Sequence, residues 1–237
     1  MYRALGMGEY RARERLTPPS SSKRHRRLNL SEPIPVRVFG RSSSVFTRCL
    51  RLVAHELGVP YELVVAADLQ SQDPADYGGN PALKLPALHT ESGVWFGALN
   101  GCRELARRAH CERDLVWPEE LVDQLTANAQ ELVLQGMSTE VTLIMDRLSD
   151  EGRLATKAHF SLTNSLTWLD ERLPEILTRL PSRRLPSILE VTLFCFVTHL
   201  SFRSVLETSG FVRLEGFLRD FGGRESARRT EYHFDPR

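Results

Sequence analysis

One stretch of this sequence, Asn80-Pro81-Ala82-Leu83-Lys84-Leu85-Pro86-Ala87-Leu88, places a proline where a loop runs into a short apolar strand. Proline has no backbone N–H, so in a sheet it fits only at an edge or at the first residue of a strand. The bond before proline is also the one peptide bond that readily adopts the cis form. A cis bond at Pro86 would turn the N–H and carbonyl of Leu85 outward, where an extended ligand could pair with them. The alternative is an ordinary proline-containing loop before a hairpin strand.

Apolar spacing around this loop predicts a mixed sheet with helices packed on it. Between residues 46 and 57, apolar residues recur at steps of four, three and four, as on one face of a helix that Gly58 would end. His55 falls outside that face, which predicts a surface histidine. The remaining pattern predicts strands at residues 36–39, 61–65, 87–90 and 94–96 and a helix through residues 99–106. The order is βαβ and then ββα, which implies one parallel crossover and one hairpin in a four-stranded sheet.

From residue 117 onward the pattern is helical only. Leucine repeats predict one long helix after Trp117-Pro118 and another through residues 162–173, which Pro174 is expected to interrupt. Ser187-Ile188-Leu189-Glu190 has the form of a capping box, in which the first and last side chains each bond the other residue's backbone N–H. Apolar residues between 211 and 221 predict a final amphipathic helix.

Residues 1–34 carry eight Lys or Arg and three Glu, a net charge of +5 in a chain whose total is +1. They show no apolar periodicity, so we expect a disordered basic tail. Contact with nucleic acid and a mitochondrial-type presequence are the alternatives. The rest of the chain is slightly acidic and holds no nucleic-acid motif, so a nucleic-acid partner is not expected.

The four cysteines are scattered, with no CxxC pair, so neither a disulfide framework nor a zinc site is expected. Reduced thiols fit a cytoplasmic protein. No apolar run approaches the roughly 18–20 residues that span a bilayer, so a membrane partner is not expected. The longest candidate, residues 191–200, contains two threonines and His199.

The loop at residues 80–88 resembles the Asn-Pro-x-x-Lys-Val-Pro-x-Leu loop of the glutathione S-transferase family, with Leu83 where that family usually has glycine. The resemblance extends over residues 36–232. It implies a thioredoxin-like domain at residues 35–112 followed by an all-helical domain at residues 117–232. It also implies that Leu85, flanked by Lys84 and Pro86, binds the cysteinyl part of glutathione through its backbone.

A second candidate position lies between the first strand and the first helix, at Arg41-Ser42-Ser43-Ser44. The amino end of a helix stabilises an anion, and therefore a thiolate held there. By resemblance, a Ser, Cys or Tyr near this place steers the glutathione sulfur, and Ser44 matches that catalytic position when counted back from Gly58. Ser43 and Ser42 are alternatives, and a plain helix cap is the structural interpretation. A serine is neutral at pH 7, so it would donate a hydrogen bond to the thiolate.

The sequence departs from the family just after the fourth strand. The family usually has Glu-Ser there to bind the γ-glutamyl end of glutathione, and this chain has Gly97-Ala98. Each lost charge-assisted bond is worth about 1.5–3 kcal/mol, so the two losses lower affinity by a factor on the order of 10²–10⁴. What remains is the helix-start N–H, chiefly that of Ala98, with Asn100 and Arg103 as nearby side chains.

Two hypotheses follow. The resemblance implies an enzyme that conjugates glutathione, its co-substrate, to a small apolar electrophile held between the domains, and that pairs as a homodimer. The replacement at residues 97 and 98 favours the alternative, a non-catalytic protein of the same fold that binds another ligand or serves as an interaction module.

Overall fold

The sheet has four strands in the order β2–β1–β3–β4. They are β1 (Val36–Gly40), β2 (Tyr61–Val65), β3 (Ala87–Thr90) and β4 (Gly93–Phe96). Strand β1 runs parallel to β2 and antiparallel to β3, and β3 pairs antiparallel with β4. Because Ala87 lies opposite both Phe39 and Phe96, the end of β1, the start of β3 and the end of β4 lie at the same end of the sheet. We call this the edge where β1 and β4 end, as distinct from the side of the sheet formed by the outer strand β4. The mixed sheet predicted from the sequence is confirmed.

The structure, a computed structural model, describes residues 36–148, 155–182 and 185–236. The basic tail predicted at residues 1–34 lies outside them. The helices are α1 (Val45–Glu56), α2 (Ala98–Arg108), α3 (Gln124–Leu148), α4 (Ala155–Arg179), α5 (Ile188–Phe202), α6 (Val212–Gly222) and α7 (Glu225–Arg229). Short 3₁₀ turns cover Pro74–Tyr77 and Pro118–Glu120. In these residues no helix combines the length and the apolar character that crossing a membrane requires.

Helix α1 is buried on more sides than its apolar periodicity indicated. Its last helical residue is Glu56, and Gly58, two residues later, ends the helix as predicted, with the left-handed φ of 65° that glycine tolerates. Arg48 and Arg51, which fall off the apolar face together with His55, are nevertheless only 4% and 7% exposed. They are buried because α5 and α7 also pack on α1, a tertiary contact that one helix's periodicity cannot reveal. His55 is half-buried against Tyr61 and does not lie freely on the surface.

The prediction that Pro174 interrupts its helix is wrong, because α4 continues to Arg179. Proline removes one backbone hydrogen bond from a helix interior. The burial of Leu173 and Ile176, which are 2% and 1% exposed, anchors the helix on both sides of the proline and offsets that loss.

Helix α5 begins at the predicted capping box, and its core position explains its apolar composition. The Ser187 hydroxyl accepts a hydrogen bond from the Glu190 N–H at 3.1 Å, and the Glu190 carboxylate accepts one from the Ser187 N–H at 2.7 Å. Where α5 crosses α3, a Cβ at Gly136 would lie 2.5 Å from the Phe196 ring. Only glycine therefore allows this approach of the two helices.

His199 of α5 joins α3 to the loop between β1 and α1. Its Nε2 lies 2.9 Å from the Ser43 carbonyl oxygen, and its Nδ1 lies 2.8 Å from Oε1 of Glu140. A carbonyl oxygen only accepts, so Nε2 carries a hydrogen, and one proton is shared between Nδ1 and the Glu140 carboxyl group. Burial raises the pKa of Glu140 above its usual value, and the hydrogen bond from His199 opposes that rise. The His199–Glu140 pair therefore has a net charge of zero, whether the shared proton lies on Nδ1 or on the carboxyl group.

We expect Glu140→Ala to lower the free energy of unfolding by about 3–5 kcal/mol, because it leaves the buried Nδ1 of His199 without a partner. Glu140→Gln should cost clearly less, since its amide donates to Nδ1 and preserves the Nε2 hydrogen bond to Ser43. Urea unfolding measures both. The control is Glu131→Ala on the exposed face of α3, which should change stability by less than about 0.5 kcal/mol. Equal losses for Ala and Gln at residue 140 would contradict the shared-proton arrangement.

Candidate functional site

Three chain segments meet at the edge of the sheet where β1 and β4 end. The loop after β1 leads into α1, the loop before β3 carries Leu85 and Pro86, and α2 begins directly after β4. The Leu85–Pro86 bond is cis, as predicted. The Gly97 N–H donates to the Pro86 carbonyl at 2.9 Å, which holds the start of α2 against the proline loop. The structure thus brings Leu85, Pro86 and Ala98 together at one edge.

The proline loop is held open from within by Asn80. This residue is only 5% exposed, and its amide donates to the Lys84 carbonyl at 2.7 Å while its side-chain oxygen accepts from the Ala82 N–H at 3.0 Å. Leu83 has a φ of 54°, a left-handed value that explains why glycine is the usual residue in the similar family loop. The Lys84 side chain is exposed. Leu85 is partly exposed, and within the described residues its N–H and carbonyl have no hydrogen-bond partner.

Ser44 is the N-cap of α1. Its backbone is extended, and its hydroxyl oxygen accepts a hydrogen bond from the Thr47 N–H at 3.2 Å. The hydroxyl proton has no acceptor among the described residues, so the group can still donate to a ligand. The alternatives Ser42 and Ser43 are only 2% and 9% exposed. Ser44 is therefore the partly exposed member of the serine run, and it lies at the helix start.

The carboxyl-terminal segment fixes this same loop, through a residue that the sequence did not single out. Asp235 is buried, and its carboxylate accepts a hydrogen bond from the Ser42 N–H at 2.9 Å. The Arg41 guanidinium lies 3.9 Å from the same carboxylate. Arg41, the first residue of the candidate run at residues 41–44, thus faces the protein's own carboxylate. No local pattern indicates that residue 235 folds back across 193 positions.

Helix α2 has no side-chain cap, which leaves its amino end open. Gly97 is the N-cap with a φ of 83°, and no side chain bonds the first-turn N–H groups. Asn100 donates to the Phe96 carbonyl at 3.1 Å, and Arg103 pairs with Glu119 at 2.8 Å. Neither side chain replaces the missing Glu-Ser pair. The unpaired N–H groups can still donate hydrogen bonds to an anion, and the N–H of Ala98 would be the first of these donors.

The described residues do not support metal chemistry or thiol chemistry at this edge. Within the described residues, no group of three or more His, Cys, Asp or Glu is placed to hold a metal ion. Cys49, Cys102 and Cys195 are buried free thiols. Burial raises the pKa of Cys102, which keeps it protonated at neutral pH. A nucleophilic sulfur at this edge would have to come from a ligand.

Neither a protein-family model nor a curated protein matches the chain. Solved structures do match. A glutathione S-transferase from Methylobacillus flagellatus with glutathione bound is 17% identical, with a TM-score of 0.65, over 84% of this chain and 100% of its own. One from Methylobacterium radiotolerans, in complex with glutathione sulfonate, is 19% identical, with a TM-score of 0.61, over 86% and 98%.

A glutathione S-transferase from Sinorhizobium meliloti is 15% identical, with a TM-score of 0.62, over 83% of this chain and 92% of its own. The chain therefore has the glutathione S-transferase fold, a thioredoxin-like sheet followed by helices, as the sequence resemblance implied. The roles of Ser44, Lys84, Leu85, Pro86 and Ala98 and the division into domains at residues 35–112 and 117–232 stay predictions.

The left-handed backbone at Leu83 can be tested directly. An L-residue in this region costs about 1–2 kcal/mol, a cost that glycine avoids. We therefore expect Leu83→Gly to be more stable than Leu83→Ala by roughly 1 kcal/mol in urea unfolding, since both lose the same side chain. If Leu83→Ala proved as stable as Leu83→Gly, the left-handed turn would be excluded.

Proposed function

We propose that this chain belongs to the glutathione S-transferase family and binds glutathione at the sheet edge formed by Leu85, Pro86 and Ala98. The observation that carries the proposal is the set of unpaired main-chain groups at this edge. Leu85 offers an N–H and a carbonyl, and the open start of α2, held beside the proline loop by the Gly97 N–H bond to the Pro86 carbonyl, offers further N–H groups. Unpaired backbone groups are rare in folded proteins except where water or a ligand meets them.

The groups present fit glutathione in part. The Leu85 backbone suits the extended cysteinyl portion, and the amino end of α2 suits the γ-glutamyl carboxylate. The ligand's ammonium group has no carboxylate partner, because Gly97 stands where the similar family has glutamate. Recognition by this chain therefore depends on the main chain, and we propose an affinity lower than a complete side-chain set would give.

Bound glutathione would supply a thiol, the nucleophile that attacks an electrophilic carbon once it is deprotonated. The amino end of α1 favours the thiolate electrostatically, as it favours any anion. The Ser44 hydroxyl donates a hydrogen bond that favours the thiolate further, without being consumed. Lys84 is an exposed cation on the same loop and adds a long-range attraction for an anionic ligand.

An aromatic cluster beside the α1 loop suits a small apolar electrophile. Phe202 stacks on Tyr232 at 5.2 Å between ring centroids and contacts Phe234 at 5.0 Å. Phe234 is 67% exposed, next to Asp235, which bonds the loop that carries Ser44. An exposed aromatic ring offers an apolar substrate a surface to pack on. We propose this cluster as the electrophile surface.

The alternative, a non-catalytic binding or interaction protein, has its own support. Gly97-Ala98 removes the two side chains that the family uses for the γ-glutamyl end, and Asp235 accepts the Ser42 N–H of the α1 loop and lies 3.9 Å from Arg41 Nε. A protein that had lost glutathione would tolerate both changes. The two proposals differ in one property, which is whether glutathione binds.

Homodimer formation and a cytoplasmic location belong to the same proposal. Val94 and Phe96 on the edge strand β4 are 43% and 38% exposed, and apolar residues on an open edge suit a second copy of the chain. The buried free thiols suit a reducing compartment.

Calorimetric titration at millimolar glutathione should detect weak binding by the wild-type protein. Ala98→Ser restores a hydroxyl at the start of α2, so we expect it to tighten binding roughly tenfold, the value of one charge-assisted hydrogen bond. Ala67→Ser, an exposed loop position, is the control and should have no effect. Absence of both heat and thermal stabilisation in the wild-type and Ala98→Ser proteins would leave only the non-catalytic alternative.

Ser44→Ala should leave glutathione binding nearly unchanged and raise the pKa of the bound thiol, because the thiolate loses its hydrogen-bond donor. The ultraviolet absorbance of the thiolate, followed against pH in the complex, measures this shift. Ser43→Ala is the matched control and should leave the titration unchanged. An unchanged titration in Ser44→Ala would reject the role of Ser44.

A further inference from the structure

A cavity lies at the opposite end of the sheet from the candidate glutathione edge. It has a volume of about 530 Å³ and is bordered by the last turn of α1, the start of β2 and α7. Tyr61 pairs with Val36, the first residue of β1, whereas the glutathione edge lies where β1 ends. We call it the Arg51 cavity. It is lined by Arg51, Ala54, His55, Gly58, Val59, Pro60, Tyr61, Leu63 and Arg229.

Arg51 is a buried cation without a counter-charge. Its side chain is 7% exposed, and its Nε donates to the Tyr61 hydroxyl at 3.1 Å. Nη1 is buried without a hydrogen-bond partner among the described residues. No carboxylate in that part of the chain lies within 4.0 Å of the guanidinium. A buried charge without compensation is costly, and so are unmet donors.

Arg48, one turn earlier on α1, shows how the chain compensates a buried guanidinium when no ligand is involved. It lies 4.2 Å from the Tyr232 ring centroid and 4.8 Å from that of Phe194. Its two terminal nitrogens donate to the Thr198 hydroxyl and the Ala227 carbonyl at 2.9 and 3.1 Å. Arg48 Nε, like Arg51 Nη1, is buried without a hydrogen-bond partner. Among the described residues, however, Arg51 has only the Tyr61 hydroxyl as an acceptor and no aromatic face against its guanidinium, and it borders a cavity.

The remaining polar groups of the Arg51 cavity also present donors. The Tyr61 hydroxyl accepts from Arg51 and lies 3.3 Å from Nε2 of His55, to which it donates its proton. Burial lowers the pKa of His55, and the charges of Arg229 and Arg51 lower it further, against the opposing charges of Glu225 and Glu56. A neutral ring that accepts the Tyr61 proton at Nε2 carries its own hydrogen on Nδ1, which is a further donor.

Carboxylates near this cavity are engaged elsewhere or lie in solvent. Glu56 pairs with Arg224 at 2.7 Å. Glu225 pairs with Arg229 at 2.8 Å, but both side chains are more than half exposed, at 68% and 64%, so this contact is weak and readily exchanged. The cavity therefore has a net positive character and an unmet demand for acceptors.

We propose that the Arg51 cavity binds a small organic anion. Its carboxylate or phosphate group accepts hydrogen bonds from Arg51 and Arg229, a geometry that guanidinium groups favour. Its apolar body packs on Val59, Pro60 and Leu63, which line the same cavity. The site is separate from the candidate glutathione edge and does not depend on the function proposed for that edge.

The test is calorimetric titration of the full chain with phenyl phosphate and with inorganic phosphate. Phenyl phosphate should bind, and several-fold more tightly than inorganic phosphate because of the apolar wall. Arg229→Gln should weaken binding roughly tenfold. Arg228→Gln removes the same charge from the same helix but not from the cavity, so it should have no effect. Ser44→Ala should also leave phenyl phosphate binding unchanged.

Arg51→Met supplies a second readout that does not depend on calorimetry. It should abolish the rise in Tm that phenyl phosphate gives the wild-type protein, while its own Tm without ligand is equal or higher, because an uncompensated buried charge is gone. The proposal is overturned if phenyl phosphate does not bind, if it binds no better than inorganic phosphate, or if Arg228→Gln weakens binding as much as Arg229→Gln. A Tm rise retained in Arg51→Met would overturn it as well.

Discussion

A buried hydrogen-bond chain from Glu140 through His199 to the Ser43 carbonyl joins three segments of this protein that are far apart in sequence. Glu140 lies in α3, His199 in α5 and Ser43 in the loop before α1, and each of the three is nearly inaccessible to solvent. The bond to Ser43 sets where the loop ends and therefore where α1 begins. The hydroxyl of Ser44 and the amino end of α1 take their positions from a contact with the helical part of the chain.

The candidate ligand edge is built mainly from backbone. The Gly97 N–H bonds the Pro86 carbonyl, Asn80 shapes the proline loop from inside, and the N–H groups at the start of α2 stay uncapped. Backbone groups are set by the fold and tolerate changes of side chain. Under the function proposed above, a chain with Gly97-Ala98 in place of the similar family's Glu-Ser would keep a directional recognition surface, with a lower affinity for the charged end of glutathione.

Local signals predicted most of the fold. The apolar spacing of α1 with its end at Gly58, the hairpin of β3 and β4, and the capping box at Ser187 each depend on residues a few positions apart, which sequence patterns can show. The candidate residues at the sheet edge followed from a family resemblance that the fold supports.

The remaining features depend on contacts between distant segments. Pro174 stays inside α4 because the residues around it are buried against other helices, and Arg51 is buried because α7 covers a face of α1 that is polar in sequence. Asp235 reaches the loop after β1 from the far end of the chain. None of these contacts leaves a periodic pattern in the sequence, so propensity and spacing could not reveal them.

In the function proposed above, main-chain groups of Leu85 and of the start of α2 bind glutathione, a thiol peptide. Backbone amide NMR during a glutathione titration tests it most directly, because it reports on those N–H groups individually. We expect saturable shifts centred on the amides of Leu85, Ala98 and Leu99, with the amides that line the Arg51 cavity unchanged. Amide signals at residues 85, 98 and 99 that stay fixed at saturating glutathione, or shifts confined to another surface, would contradict it.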